Sequence, residues 1–215
     1  MTHIDKNNKT FKLSFTAVMI ALGTVLSLLT VFRLPFGGSV TPFSMLPLVI
    51  VGCMYGVKWG LFSGFTYGVL QAVLGATMSG AFEAQGILNV VLICGIDYLA
   101  AYSVVGLSGI FKSKKQNGFS LVCGSVLAMF LRYVCHVISG AVLYGSWAEW
   151  YFTQEGFYSW GQTLIEKYSG FTLSLIYSVI YNAMYMVPEI LITTVAAGIV
   201  LSLPPVKTLI FDKKG

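Results

Sequence analysis

Charged side chains are scarce in this sequence. Asp, Glu, Lys and Arg make up only 10% of its 215 residues, whereas a soluble domain carries about 25%. Hydrophobic residues make up 56%, and long apolar stretches run through most of the chain. The composition therefore excludes an ordinary soluble domain and predicts a polytopic membrane protein in a lipid bilayer. The net charge of +5 does not indicate a nucleic-acid partner, because the basic residues follow a membrane-topology pattern.

Common motifs for catalysis and metal binding are missing. The sequence has no GxxxxGK[ST] phosphate loop and no HExxH motif, so neither P-loop nucleotide hydrolysis nor zinc-protease chemistry is predicted. The four cysteines form no CxxC pair, and only two histidines occur, so a Cys/His metal cluster is not expected either. These absences favour a binding or transport protein that is not an enzyme and uses no metal or other cofactor.

Six apolar segments read as membrane-spanning helices. A span needs about 20 apolar residues, within a range of roughly 17 to 25. The predicted spans are 13–32, 41–55, 57–77, 86–111, 119–144 and 171–203, of which the second is short and contains Pro42 and Pro47. We therefore predict an all-α integral membrane protein with one six-helix domain, 13–203, between an N-terminal tail, 1–12, and a C-terminal tail, 204–215. The first apolar stretch is not followed by a small-residue cleavage site, so we expect no cleaved signal peptide.

The distribution of basic residues predicts the orientation of these spans. With six spans, both termini share one side, and that side would carry Lys6, Lys9, Lys12, Lys58, Lys112, Lys114, Lys115, Lys207, Lys213 and Lys214. The opposite side would carry only Arg33 and Lys167. We therefore expect both tails in the cytoplasm. The loops outside would then be 33–40, 78–85 and 145–170, and their acidic residues suit a cationic ligand: Glu83, Glu149, Glu155 and Glu166.

Asp97 lies inside the fourth predicted span, where a carboxylate is costly and usually faces a partner, a cavity or a ligand. A rise of about 1.5 Å per residue places Asp97 roughly 16 Å, His136 roughly 14 Å and Asn182 roughly 18 Å below the outer edges of their spans. Tyr177 lies about a turn and a half shallower than Asn182. An acid, an imidazole, a phenol and an amide at similar depth predict a pocket that opens outward. The alternative is a buried hydrogen-bond cluster that joins the helices.

Arg132 and Glu189 lie deeper, on spans five and six. We predict that they form a buried structural ion pair, because the planar guanidinium can bind a carboxylate through two hydrogen bonds. A direct role in ligand binding or proton coupling is the alternative. At the outer end, Tyr144 and Trp147 are candidates for an aromatic lid, whose rings can stack on a flat ring or attract a cation. They belong to a cluster with Trp150, Tyr151 and Tyr158 that an interfacial aromatic belt also explains.

Small residues recur at four-residue spacing on two spans, which allows helix backbones to approach closely. On span three the positions run from Gly60 to Ala76, and intramolecular packing is the default interpretation. On span one the positions are Ala17 and Ala21. A docking surface for another membrane subunit is the functional alternative.

These residues together resemble the thiamin-specific S-components of energy-coupling factor (ECF) vitamin transporters, over roughly 13–203. The matching stretches are Gly37-Gly38-Ser39-Val40-Thr41, Ser44-Met45-Leu46-Pro47, Asp97-Tyr98-Leu99-Ala100, Leu131-Arg132-Tyr133 with His136, Ser139-Gly140, Tyr177-Ser178, Tyr181-Asn182 and Pro188-Glu189. The resemblance implies a six-helix protein of the bacterial plasma membrane that binds thiamin from outside. It also implies a transmembrane coupling subunit and two cytoplasmic ATPases as partners.

The resemblance implies roles for individual residues. Asp97, His136, Tyr177 and Asn182 match ligand-contacting positions, and Tyr144 stands where some members have a stacking Trp. Some members also have a Trp near the start of span two, where this chain has Gly37-Gly38. The Ala17 and Ala21 pair resembles the family's motif for docking on the coupling subunit.

We therefore predict a high-affinity thiamin-binding subunit of an ATP-driven importer, with a pocket on spans four to six. Three alternatives remain open. The chain could serve another vitamin or a thiamin precursor. It could be a stand-alone secondary transporter in which Asp97 or Glu189 carries protons. It could also be an intramembrane enzyme that uses Asp97 and His136.

Overall fold

The computed structural model describes residues 6, 8–34, 38–78, 82, 86–112 and 119–211. Apart from one small hairpin, its regular structure is helical. The helices are α1 Lys9–Ser27, α2 Leu46–Tyr55, α3 Val57–Met78, α4 Ile87–Phe111, α5 Phe119–Leu143, α6 Ala148–Phe152, α7 Tyr158–Lys167, α8 Gly170–Ser202 and α9 Pro204–Phe211. Two antiparallel strands, β1 Phe32–Arg33 and β2 Ser39–Val40, form the hairpin between α1 and α2.

Five helices in the described part of the chain are long and apolar enough to cross a membrane: α1, α3, α4, α5 and α8. The predicted all-α membrane class is confirmed. The sixth apolar helix, α2, has 10 residues, which at about 1.5 Å per residue is half of a hydrocarbon core about 30 Å thick. Its length is typical of a buried core helix, and its residues from Leu46 to Met54 are all buried. The count of six spans stays a prediction.

Two of the predicted span boundaries are wrong. The predicted first span ran through 28–32, but α1 ends at Ser27 because the chain then enters the hairpin, where Val31 N donates to Val40 O at 3.0 Å. The predicted second span began at 41, but 41–45 form turns, and α2 starts at Leu46 with Pro47 in its first turn. Pro is favoured there because its missing N–H has no helical partner. Gly56, with φ of 88°, ends α2.

Helices also occupy segments that the sequence interpretation treated as loop and tail. The outer segment after α5 contains α6 and α7, and the C-terminal segment contains α9. Ile210 of α9 is buried in the hydrophobic core, and Lys6 donates to Thr208 O of α9 at 2.6 Å. The two terminal segments therefore meet at one end of the bundle, as an even number of spans would require.

Helix α4 is irregular. Its residues Cys94–Ala100 form a π-helix, and Val104–Phe111 continue as a 3₁₀-helix. The small residues of α3 face it: a Cβ at Gly68 would lie 2.7 Å from Tyr98 O, so only glycine permits this approach. Gly60, Gly64 and Gly68 of the small-residue stripe on span three therefore pack against α4, whereas Ala76 is exposed. Irregular helical turns of this kind are frequent at functional sites.

Candidate functional site

Asp97 lies on the π-helical segment of α4 and faces α5. Its Oδ1 lies 2.8 Å from Nδ1 of His136, and its Oδ2 accepts a hydrogen bond from Ser139 Oγ at 2.5 Å. The Asp97 and His136 side chains are mostly buried, at 18% and 11% exposure. Two residues of α5 spaced by three, on one helix face, therefore hold both carboxylate oxygens.

The imidazole of His136 has one engaged nitrogen. A carboxylate oxygen can only accept, so the Nδ1 that faces Asp97 is the donor in this contact. Nε2 is buried and has no hydrogen-bond partner among the residues that the structure describes. Buried polar atoms in folded proteins are nearly always paired. This nitrogen is therefore the feature of the cluster that most directly calls for a ligand.

Asn182 joins α8 to this cluster. Its Nδ2 donates to Ser178 O at 2.8 Å and to His136 O at 3.2 Å, and its Oδ1 accepts from Tyr185 OH at 2.7 Å. The Tyr185 ring in turn packs edge-on against the His136 ring, with centroids 5.9 Å apart. The structure thus brings Asp97, His136 and Asn182 together, with the amide group of Asn182 already hydrogen-bonded inside the protein.

Tyr177 lies in a different group of side chains. It is 2% exposed, and its ring packs against Tyr151 at 5.1 Å and Tyr181 at 5.7 Å. Tyr181 packs against Tyr185 at 6.2 Å, so a row of tyrosines along α8 connects Tyr177 to the Asp97 cluster. Tyr151 belongs to α6, outside the spans. Burial, with Tyr181 nearby, raises the pKa of Tyr151 to about 12, so its hydroxyl is protonated at neutral pH.

Arg132 and Glu189 form an ion pair, with Nη1 and Oε2 2.8 Å apart. Both side chains are buried, and the guanidinium lies over the Tyr102 ring, 4.8 Å from its centroid. Glu189 Oε1 accepts two more hydrogen bonds, from Thr41 N at 2.6 Å and Thr41 Oγ1 at 2.7 Å. The pair therefore anchors the chain just after β2 to α5 and α8.

The hairpin also rests on the tyrosine row. Gly38 N donates to Tyr181 OH at 3.2 Å, and a Cβ at Gly38 would lie 2.7 Å from the Tyr185 ring. A side chain at this position would separate the hairpin from α8. Gly37, Glu83 and the Tyr158 ring, all named in the sequence interpretation, lie outside the described residues.

Tyr144 and Trp147 follow the outer end of α5. Tyr144 is half-buried against the core, eight residues beyond His136, which corresponds to about 12 Å along a helix. Trp147 is 44% exposed and packs edge-on against Trp150, at 5.9 Å. Trp147 is therefore a surface ring beyond α5, whereas the half-buried Tyr144 packs against the hydrophobic core.

A cleft of about 250 Å³ opens on the other side of the tyrosine row. It is lined by Leu34, Trp150, Tyr151, Gln154, Phe157, Tyr181 and Met184. Asp97, His136 and Asn182 do not line it. The predicted pocket residues and this cleft are therefore neighbouring but separate features, with Tyr181 between them.

Ala17 and Ala21 are exposed on α1, whereas Thr16, Ile20 and Gly23 form its buried face. No other part of the described chain covers the small-residue face. This arrangement leaves it accessible to lipid or to another membrane protein.

Sequence reasoning gave no individual role to four residues of these networks, of which the first three appear only within the matching stretches: Thr41, Ser139, Tyr181 and Tyr185. Ser139 could have been found, because it follows His136 by three positions and so shares its helix face. Tyr181 could have been found by the same rule from Tyr177. Nothing in the sequence indicated the bonds from Thr41, since they link a turn to a helix 148 positions away.

Comparison with known proteins gives consistent matches. A family model described as Thiamine transporter protein (Thia_YuaJ) matches residues 13–159. Thiamine transporter ThiT of Bacillus subtilis (strain 168) is 30% identical over 204 residues, which cover 89% of this chain and 91% of that protein. Thiamine transporter ThiT of Lacticaseibacillus paracasei is 23% identical over 176 residues, or 76% of this chain and 73% of that protein.

A solved structure of ThiT from Listeria monocytogenes has the same fold, with a TM-score of 0.67 over 93% of this chain and 97% of that one. At 18% identity this match is evidence for the fold alone. The relatives and the apolar helices together identify a multi-pass membrane protein of a bacterium. Because the family model matches more than half of the chain and the Bacillus protein aligns with nearly all of it, this chain belongs to the thiamine transporter protein family.

Proposed function

We propose that the chain is an S-component that binds thiamin from outside the cell with high affinity, for an ATP-driven importer of the ECF class. The observation that carries this proposal is the buried His136, whose Nδ1 faces Asp97 while its Nε2 has no partner among the described residues. An unpartnered imidazole nitrogen beside a buried carboxylate suits a cation that also carries hydrogen-bonding groups. Thiamin has a positively charged ring and an amino group, and the family's name supports it as the ligand.

Asp97 provides the negative charge of the proposed site. An ionised carboxylate has about four lone-pair positions, of which His136 and Ser139 use two. The remaining positions accept hydrogen bonds from the ligand's amino group, and the charge balances the cationic ring. In a buried site this balance matters more than in water, because screening is weaker.

The other candidate residues act around this charge. His136 offers Nε2 and the face of its ring. Asn182 holds α8 against α5 at His136, because its Nδ2 donates to the backbone oxygen of His136. The Asn182 side chain contacts the ligand when its hydrogen bond with Tyr185 breaks. Tyr144 and Trp147 supply aromatic surface toward the outside, where a flat cation is attracted to ring faces. Tyr177 is buried, so it contacts the ligand once the Tyr151 and Tyr181 rings that cover it move.

Energy for uptake comes from other subunits in this proposal. The sequence lacks a P-loop, so ATP hydrolysis belongs to two cytoplasmic ATPases that act through a transmembrane coupling subunit. The exposed small face around Ala17 and Ala21 allows a partner helix to approach closely and is the proposed docking surface. Glu189 is bound to Arg132 and Thr41, which disfavours it as the proton carrier of a stand-alone transporter.

The test is a titration of the purified full chain with each vitamin, in which intrinsic tryptophan fluorescence is the recorded signal. We expect saturable quenching by thiamin, because Trp147 and Trp150 lie at the outer end, and no saturable change with riboflavin. Asp97→Asn keeps the shape of the side chain but removes its charge, and we expect it to weaken thiamin binding by at least about tenfold, or about 1.4 kcal/mol. Glu166→Gln is the control, since it removes an exposed charge outside the cluster.

Three other outcomes would contradict or change parts of this proposal. Full-strength binding by Asp97→Asn would contradict the role of the Asp97 charge. Saturable quenching by riboflavin alone would keep the S-component architecture and change the ligand. Thiamin uptake by vesicles that contain this chain alone, driven by a proton gradient, would contradict the need for ATPase partners.

A further inference from the structure

We propose that the cleft lined by Trp150, Tyr151 and Met184 is an outer encounter subsite, where a flat organic cation binds before it passes Tyr181 to reach the Asp97 cluster. The inference rests on the proposed function, because the cation is the cargo bound at Asp97. It adds a second binding position on the entry route. The cleft has a volume of about 250 Å³ and contains none of the Asp97, His136 and Asn182 side chains.

The lining of the cleft suits a flat ring. Four of its lining residues are aromatic, namely Trp150, Tyr151, Phe157 and Tyr181, and Met184 adds a polarisable sulfur. The Tyr151 hydroxyl donates to Met184 Sδ at 3.1 Å, so these two lining residues are held together. Aromatic faces attract cations and stack on heteroaromatic rings. A weak, ring-selective site is the expected result.

Charge near the cleft favours a cation over an anion or a neutral ring. Glu149 directly precedes Trp150, and Glu155 directly follows Gln154. Both glutamates are exposed, so they act as a negative rim rather than as ligands. Negative surface charge near a cleft raises the local concentration of a cation and its rate of association, in a salt-dependent way.

The cleft and the Asp97 cluster share one wall. Tyr181 lines the cleft, and its ring is 6.2 Å from that of Tyr185, which donates to Asn182. The Tyr181 hydroxyl accepts from Gly38 N of the hairpin, and Leu34 at the start of the same connection also lines the cleft. Tyr181 and the hairpin therefore stand between the cleft and the Asp97 cluster, and a ligand that passes from one to the other must displace them.

A subsite on the route has a distinctive kinetic effect. Ligand that enters through the cleft must also leave through it, so an obstruction slows association and dissociation by the same factor and leaves Kd unchanged. A residue of the final site behaves differently, because its loss mainly accelerates dissociation. The measurement is stopped-flow tryptophan fluorescence of the full chain with thiamin, which gives both rates for each variant.

Two variants fill the cleft from opposite walls, so that misfolding of one does not remove the test. Met184→Phe adds a ring from α8, and Gln154→Phe adds one from the outer segment. We expect each to lower both rates by at least about threefold, within the range over which association rates vary among mutants of one site. The matched control is Leu191→Phe, seven positions along α8 and 61% exposed, which should change neither rate.

The charge of the rim has its own test. We expect Glu149→Gln combined with Glu155→Gln to slow association most at low salt, with the difference from the unmodified chain shrinking as salt rises. Glu166→Gln, an exposed acid of α7 that does not line the cleft, is the control and should leave the rate unchanged.

Two results would overturn the subsite: unchanged rates in both filling variants, or a raised Kd caused by faster dissociation alone. The second result would make the cleft part of the final site. Absence of any saturable thiamin signal in the unmodified chain would instead reject the proposed function, and the subsite with it. Because the unmodified chain is titrated before the variants, failure of the proposed function is distinguished from failure of the subsite.

Discussion

Thr41 and Glu189 are 148 positions apart in sequence, yet Thr41 donates twice to the same carboxylate oxygen of Glu189, from its backbone N at 2.6 Å and from Oγ1 at 2.7 Å. The other oxygen of Glu189 is bound to Arg132. One buried acid thus joins α5 and α8 to the chain that leaves the hairpin. A hydrogen bond to a charged group contributes about 1.5–3 kcal/mol, so the Thr41 contacts are a substantial part of what holds the hairpin in place.

The hydroxyl of Thr41 gives the first prediction. Thr41→Val keeps the shape and the backbone bond but removes the hydroxyl donor to Glu189. We expect a loss of about 1.5–3 kcal/mol in the free energy of unfolding, measured as a lower apparent melting temperature of the purified chain. Thr41→Ser retains the hydroxyl and should restore most of the stability. Equal melting temperatures for Thr41→Val and the unmodified chain would show that the hydroxyl bond is not stabilising.

The Arg132–Glu189 pair gives the second prediction. Removal of one partner of a buried ion pair leaves an uncompensated charge and costs about 3–5 kcal/mol, whereas replacement of both by apolar residues is often close to neutral. We therefore expect Arg132→Met to be strongly destabilised in thermal unfolding, and the double variant Arg132→Met/Glu189→Leu to recover part of that loss. Strictly additive losses in the double variant would mean that the two charges do not depend on each other.

Ser139 gives the third prediction, for ligand binding. It donates to Asp97 Oδ2 at 2.5 Å and so fixes the carboxylate relative to His136. Ser139→Ala removes a bond to a charged group, and we expect thiamin Kd to rise about tenfold, which corresponds to about 1.4 kcal/mol. Ser125→Ala is the matched control, because this buried serine of α5 donates only within its own helix, to Leu121 O at 2.8 Å. A similar loss of affinity in both variants would point to general destabilisation of α5 and not to Asp97.

The sequence predicted the depth of the polar residues within the membrane better than it predicted their hydrogen-bond partners. Counting residues along apolar spans gave Asp97 and His136 similar depths, and the structure places them 2.8 Å apart. Residue chemistry alone paired Arg132 with Glu189, because a buried charge is costly unless an opposite charge lies beside it. These inferences succeed because helical rise and the cost of buried charge do not depend on the details of packing.

Other features depended on packing that one sequence does not specify. The π-helical segment that carries Asp97 has no sequence signal of its own, since its turns differ from α-helical turns only in hydrogen-bond register. Asn182 is predicted to face a ligand, and its amide bonds to Ser178 and Tyr185 of its own helix and to His136 O are contacts that helical rise does not predict. The bonds from Thr41 arise from a turn, where no periodicity predicts the direction of a side chain.

The exposed small face of α1 gives the fourth prediction. Ala17→Trp places a bulky ring where we propose that a partner helix packs closely. We expect thiamin binding by the isolated chain to be unchanged, because Ala17 is exposed and the buried residues of α1 are retained, and uptake by the assembled transporter to be lost. Leu191→Trp, on an exposed position of α8, should leave both properties intact. Normal uptake by Ala17→Trp would place the docking surface elsewhere.

Gly38 gives the fifth prediction, for the closure of the hairpin over the site. A Cβ at this position would lie 2.7 Å from the Tyr185 ring and 3.2 Å from Tyr181 OH, so in Gly38→Ala either the hairpin or these tyrosine rings must shift. The bond from Gly38 N to Tyr181 would then be lost or lengthened. We expect thiamin to dissociate faster, by about threefold or more, with a smaller change in association, since a lid that closes poorly retains ligand poorly. Gly198→Ala on α8 is the control, because nothing lies within 4 Å of the Cβ it would add. An unchanged dissociation rate in Gly38→Ala would show that the contact of the hairpin with the tyrosine row does not retain the ligand.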